Sequence, residues 1–157
     1  MTTATLPIHP WVAEGTNRLR FGVETLAMPD WGATRAWVQA IEGAGFDSVW
    51  IPDHPMGTGS ATWTHLAAFA TVTDRIRLGP LVACVAYTNP FVIARAIADI
   101  DLLSGGRAVL GLGSGDMPHE FAQMGLPWPA GRQRQATLEE ALPVSYTHLT
   151  LPTKRIV

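Results

Sequence analysis

A period constrains this chain more than any single motif. Apolar segments able to form strands begin near residues 20, 48, 77 and 107, about 28 to 30 residues apart, and each is followed by a segment of helical periodicity. Residues 19–23, 47–51, 76–82 and 108–112 read as the four strands. Parallel strands joined by right-handed helical crossovers satisfy such spacing. Two architectures use these units, a doubly wound sheet and a (β/α)8 barrel. A complete barrel takes roughly 250 residues, so 157 residues holding four units correspond, in the barrel reading, to its N-terminal half. A half barrel leaves strand edges and part of its inner core open, an expected aggregation liability unless it pairs, so a homo-oligomer is one possible partner state.

The helices carry their own signals. Asp30 is placed to N-cap a helix whose Ala36, Trp37, Ala40, Ile41 and Ala44 share one face, with Gly43 and Gly45 closing it. The next runs over 63–72 with Leu66, Phe69 and Ala70 inward. Asn89-Pro90 starts a helix to about 103 that Ser104-Gly105-Gly106 ends. Helices over 118–124 and 132–142 follow, separated by 125–131. Residues 1–17 read as an irregular lead-in, and 18–143 as the domain.

Composition excludes several classes. With 47% hydrophobic and 15% charged residues the chain has a core and is not disordered. A net charge of −2 gives no electrostatic case for nucleic acid or an anionic membrane as partner. The single cysteine, Cys84, excludes an internal disulfide and fits a reducing compartment. The start, MTTATLPIHPWVAEG, lacks the basic and apolar regions of a signal peptide, and no apolar run approaches a membrane span of roughly 18 residues. A cytoplasmic location is therefore expected. Lys154 is the only lysine, whereas residues 1–143 carry nine arginines. Residues 144–157, VSYTHLTLPTKRIV, contain no Ala, Gly, Asp or Glu. That shift reads as a non-native tail similar to translated adapter sequence; the plainer reading is an edge strand or a flexible terminus.

The fourth strand leads into the richest polar stretch, RAVLGLGSGDMPHE at 107–120. Glycines on alternate positions let the backbone bend and a ligand approach. Gly111-Leu112-Gly113-Ser114-Gly115-Asp116 misses the last glycine of G-x-G-x-x-G and sits in the fourth unit rather than the first, against dinucleotide binding. The absence of lysine from the body removes a P-loop and Schiff-base chemistry within it.

Polar residues instead gather after strand ends: Glu24, then Asp53-His54, then residues 84–89, then 114–120. In a β/α barrel those ends form one face, which holds the site. Each residue also has a plainer role. Asp53 can bond amides in its turn, and His54 can be a turn histidine. Asp116 can cap a helix, and Ser114 can be a small loop residue. His119 and Glu120 can be surface residues of a first helical turn, where a glutamate complements the dipole. His9 and His65 read as structural or solvated, and Trp37 and Trp50 as core. Metal ligation by Asp53, His54, His119 and Glu120 is a weaker alternative, since the spacing matches neither H-x-H nor H-E-x-x-H; no metal site is expected.

Taken together, RFGVETLA, GFDSVWIPDH, RIRLGPLV, NPFVIARAIADIDLLSGGR and VLGLGSGD resemble the luciferase-like flavin/F420-dependent oxidoreductases over residues 18–142. The resemblance implies a (β/α)8 barrel about twice as long as the present one, binding FMN or the deazaflavin F420 at its carboxyl face. It implies that Asp53 and His54 are the family's Asp-His pair beside the ring, with His54 offering a hydrogen bond or proton at the reactive edge. Leu81, Val82, Ala83 and Cys84 match a third-strand bulge behind the ring, with a non-prolyl cis peptide near Leu81-Val82 or one bond later. Ser114, Gly115 and His119 match cofactor-contacting positions. Asp116 stands where some sugar-phosphate-oxidising relatives carry a catalytic glutamate, so His54 and Asp116 are the catalytic candidates.

The implied chemistry is hydride transfer between the cofactor and a small organic substrate, with monooxygenation open to FMN. The WIPDH wording leans to F420. Helices near a barrel's last strands commonly hold phosphate, and they lie outside these four units. The competing reading, from a different class, is a catalytically inactive half-barrel fragment or pairing module without cofactor affinity.

Overall fold

The computed structural model describes residues 10–26, 30–56 and 61–150. His9, residues 57–60 of the loop after the second strand, and the end of the tail with Lys154 lie outside them.

The described part of the lead-in, residues 10–17, is more ordered than its sequence suggests. Pro10–Glu14 forms helix α1 and Gly15–Asn17 a 3-10 turn. Arg20 accounts for this: its guanidinium lies 4.2 Å from the centre of the Trp11 ring and donates to the Trp11 carbonyl.

The body alternates β1 (Gly22–Glu24), α2 (Trp31–Gly43), β2 (Ser48–Ile51), α3 (Thr62–Val72), β3 (Arg77–Pro80), β4 (Ala83–Cys84), α4 (Pro90–Ser104), β5 (Leu112–Gly113), α5 (Pro118–Gln123) and α6 (Gly131–Thr150). Strands β1, β2 and β3 form one parallel sheet in that order, and β4 pairs in parallel with β5. The four-unit β/α reading therefore holds.

Two strands depart from their expected form. The third does not run unbroken over 76–82. It stops at Pro80, passes through a cis Leu81–Val82 peptide, and resumes as β4. Its bonding changes sides there: Leu81 donates to the Ile51 carbonyl, whereas Ala83 donates to that of Gly111. The fourth strand breaks in step, bridging β3 at Ala108 and pairing with β4 only at 112–113. Gly79 makes the crossing possible, because a Cβ there would lie 1.9 Å from the Val109 carbonyl oxygen.

The core lies between the sheet and helices α2, α3 and α4. Val38, Ile41, Val49, Ile51, Leu66, Phe69, Ile76, Leu78 and Ile100 are all buried within it. Leu66, Phe69 and Ala70 point inward as expected. Helix α2 is rotated from its expected face. Thr34, Val38 and Ile41 are buried, while Ala36, Ala40 and Ala44 are exposed. Trp37 is likewise 41% exposed rather than core, and its indole donates to the Thr25 hydroxyl at 2.8 Å. A stripe at i, i+4 and i+7 reaches the sheet, and the alanine-rich stripe beside it is too short to do so. Trp50 is half-buried, its ring lying against Gly22 and Gly79.

Local chemistry sets the helix ends. Asp30 accepts from the Ala33 amide at 2.8 Å and Asn89 from Phe91 at 2.9 Å, with Pro90 opening the helix and Gly105, at φ 68°, closing it. Helix α6 continues through Pro143 to Thr150, so the tail's first residues extend a helix rather than forming an edge strand.

Arg107, the arginine of LSGGR, is buried without a carboxylate partner among the described residues. It donates to the carbonyls of Ala70, Thr73, Ile76 and Ser104 and to the Thr73 hydroxyl, at 2.7–2.9 Å. One cation thus caps the carboxyl ends of α3 and α4 and ties both to β3. Among the described residues no helix is long and apolar enough to cross a membrane.

Candidate functional site

Parallel strands place their carboxyl ends on one edge, and a cavity of about 260 Å3 opens there. Its walls come from four chain segments. Asp53 and His54 follow β2, Leu81 and Val82 lie between β3 and β4, Cys84 and Tyr87 come from β4 and its loop, and Gly113 to Asp116 run on from the end of β5. The stretches after β2, around β4 and after β5 are distant in sequence and meet because each leaves a parallel strand in the same direction.

Asp53 ties two of these segments to each other and to α3. One carboxylate oxygen accepts from the Cys84 amide at 3.0 Å and the other from the Thr62 hydroxyl, at the start of α3, at 3.2 Å. It therefore bonds an amide across the site rather than one in its own turn. Burial pushes its pKa above the usual carboxylate range, and the bonds from Cys84 and Thr62 only partly offset this.

His54 meets a partner from the far side. Its Nδ1 lies 2.9 Å from Glu120 Oε2, and the Tyr87 hydroxyl donates to the same oxygen at 3.0 Å. Glu120 is 1% exposed although it sits in the first turn of the short helix α5. The hydrogen bond to Glu120 holds the His54 imidazole above its ordinary pKa; burial opposes this, and the charges of Glu120, Asp116 and Asp53 add to it. Burial and the same glutamate push the Tyr87 phenol upward. The Cys84 thiol, 4% exposed, is also pushed up by burial, which disfavours the thiolate.

One flank is apolar. Leu81 and Val82 are 45% and 40% exposed and line the cavity together with its polar groups. Gly115, at φ 84°, turns the chain where a Cβ would press within 2.8 Å of the Phe121 ring. Phe121 in turn meets Tyr87 edge-on, with centroids 5.1 Å apart.

The structure thus brings together Asp53, His54, Leu81, Val82, Cys84, Ser114, Gly115 and Asp116. It does not bring in Ala83, whose side chain is fully buried, or His119, which is exposed on α5 away from the lining. Glu24 is exposed and also absent from the lining. Asp116 caps no helix: the N-cap of α5 is Met117, without a side-chain bond. Among the described residues no three His, Cys, Asp or Glu side chains gather as metal ligands.

Two residues take a larger part than their sequence assigns. Tyr87 is not singled out by its sequence within the 84–89 stretch. Glu120, which the sequence leaves between the polar cluster at 114–120 and a surface residue of a first helical turn, is the buried partner of His54. A signal existed, since Glu120 lies next to the apolar Phe121 in the helix that closes the 114–120 polar stretch.

Residues 6–145 match the luciferase-like monooxygenase family. The chain is 40% identical over 108 residues to the F420-dependent glucose-6-phosphate dehydrogenase of Amycolatopsis mediterranei, covering 64% of this chain and 32% of that protein. It is 36% identical over 120 residues to the 5,10-methylenetetrahydromethanopterin reductase of Archaeoglobus fulgidus, covering 75% of this chain and 35% of the relative. The solved structure of the F420-dependent tetrahydromethanopterin reductase from Methanopyrus kandleri superposes with a TM-score of 0.68 at 30% identity, over 82% of this chain and 39% of that one. The chain thus spans about a third of the length of these two relatives. Its four parallel β/α units are the first half of a (β/α)8 barrel.

Proposed function

Because the chain belongs to the luciferase-like monooxygenase family, we propose that the whole protein is an oxidoreductase that moves a hydride between F420 or FMN and a small organic substrate. The observation that carries this reading is the composition of the cavity: an exposed apolar pair, Leu81 and Val82, lining the same cavity as His54 and Asp116 at the strand ends. A flat ring needs such an apolar surface with a few polar groups at its edge. At about 260 Å3 the cavity lies just below the roughly 300–1,000 Å3 of common ligand sites, a size suited to a ring rather than a whole cofactor. None of its lining residues is Lys or Arg, so these walls fit the ring and not an anionic tail.

When bound, the deazaflavin or flavin ring supplies the atom that takes up and returns the hydride, and the flavin can also activate oxygen. The chain's own groups do the rest. Leu81, Val82 and Cys84 back the ring, with Ala83 supporting them from beneath. Ser114 and Gly115 form the facing wall. Asp53 holds the wall in place through the Cys84 amide. His54 holds or moves a proton at Nε2, its Nδ1 being engaged by Glu120. Asp116 offers a second carboxylate to the substrate side. The F420-dependent dehydrogenase and the F420-dependent reductase structure, at 40% and 30% identity, favour F420 over FMN. His119 has no role in this reading.

Titrating F420 and FMN separately against the chain, followed by the cofactor's visible band, tests it. Binding by the ring-holding half alone is expected in the millimolar range, about 4 kcal/mol, with a band shift that Leu81→Asp abolishes. A spectrum unchanged by saturating concentrations of both would favour the inactive-module reading.

A further inference from the structure

The His54–Glu120–Tyr87 chain is more than a wall. We propose that Glu120 is a positioning residue for His54, fixing the imidazole in one tautomer at the cavity edge, and that Tyr87 tunes the carboxylate that does so.

The geometry carries this. Carboxylates are almost never fully buried unless paired, and Glu120 is 1% exposed with His54 Nδ1 at 2.9 Å and the Tyr87 hydroxyl at 3.0 Å on one oxygen. These partners lie 66 and 33 residues away in sequence, so the tertiary fold assembles the contact. An ionised carboxylate only accepts hydrogen bonds. Nδ1 must then carry a proton, which makes Nε2 the nitrogen that titrates. Phe121 next to Glu120 locks Tyr87 edge-on at 5.1 Å, limiting the movement of the phenol.

The charged groups facing His54 are Glu120 from α5, Asp116 from the loop after β5 and Asp53 beside it; all three favour the protonated ring. Tyr87 and Cys84 on the same lining are held neutral by burial. Glu120 differs from the other acids in bonding the ring directly, so it sets the tautomer as well as the proton affinity. Tyr87 acts in the opposite sense, because its hydroxyl draws charge from the oxygen that His54 uses.

This inference rests on the reading of His54 as the proton-handling group, but its test needs no cofactor. Nitrogen-15 spectra of the imidazoles in the full chain, with His54 assigned by its loss in His54→Asn, report pKa and tautomer directly. The wild type is expected to show the neutral ring protonated at Nδ1 and a pKa above the ordinary 6.5. Glu120→Gln should lower that pKa by about one unit, and Tyr87→Phe should raise it by a smaller amount. An unmoved His54 pKa and tautomer in a folded Glu120→Gln would overturn the proposal. If Glu120→Gln fails to fold, the conservative Tyr87→Phe decides: a rise supports the proposal, and no change or a fall refutes it. Absent cofactor binding with a Glu120-dependent His54 would sink the proposed function and leave this inference standing; cofactor binding with an unmoved His54 would do the reverse.

Discussion

Removing the Arg107 guanidinium is expected to cost more stability than any other single side-chain change outside the apolar core. In Arg107→Met the stem that packs in the interior is kept, and the five donations from the guanidinium to Ala70, Thr73, Ile76, Ser104 and the Thr73 hydroxyl are lost. A hydrogen bond from a charged donor is worth about 1.5–3 kcal/mol net, but five made by one side chain are not additive. Taking about 1 kcal/mol for each gives a loss near 4–5 kcal/mol, at the upper limit of single substitutions. Arg107→Lys keeps the charge at two helix ends and at most three donors, so a loss of about 2 kcal/mol is expected. Urea unfolding followed by far-UV circular dichroism reads both, as a fall in midpoint at unchanged slope. A Met variant within about 1 kcal/mol of the wild type, or a Lys variant as damaged as the Met one, would refute the reasoning. The first would show that water satisfies those carbonyls, and the second that the planar fork alone matters.

Gly79→Ala places a methyl 1.9 Å from the Val109 carbonyl oxygen and forces β3 from the fourth strand. A loss of about 3 kcal/mol is expected by thermal melting, and a loss under about 1 kcal/mol would show that the crossing relaxes. Glu42 accepts from the amides of Asp74, Arg75 and Ile76 at 2.8–3.2 Å. Burial opposes its ionisation, yet these bonds and the Arg75 charge outweigh it and hold the carboxyl below its ordinary 4.5. A lowered folded pKa means the stabilisation is present above the unfolded value and lost as pH falls through the folded one. Glu42→Gln should therefore flatten the acid limb of a stability–pH curve, and an unchanged limb would show that Glu42 adds nothing. Asp30→Ala should cost about 1 kcal/mol through the lost N-cap, read in the same urea assay; no change would assign the start of α2 to packing alone.

The amino-acid order by itself determined the parallel β/α alternation, because a strand-to-strand interval near 29 residues with helical periodicity between leaves few topologies. It also determined the helix ends at Asp30, Asn89-Pro90 and Gly105, where capping is a contact between near neighbours. The location of the cavity followed from the same logic, since parallel strands present their carboxyl ends together. Tertiary structure decided what depends on distant partners. The face of α2 turned to the sheet was settled by where the sheet lay, and the Ala36–Ala40 stripe lost to Thr34 and Val38. The break between β3 and β4 appeared where the chain exchanged one strand neighbour for another. Glu120, read locally, is an ordinary first-turn glutamate. Only folding places it beneath His54 and Tyr87, because a buried carboxylate is tolerable just where the chain delivers donors to it, and those donors lie tens of residues away.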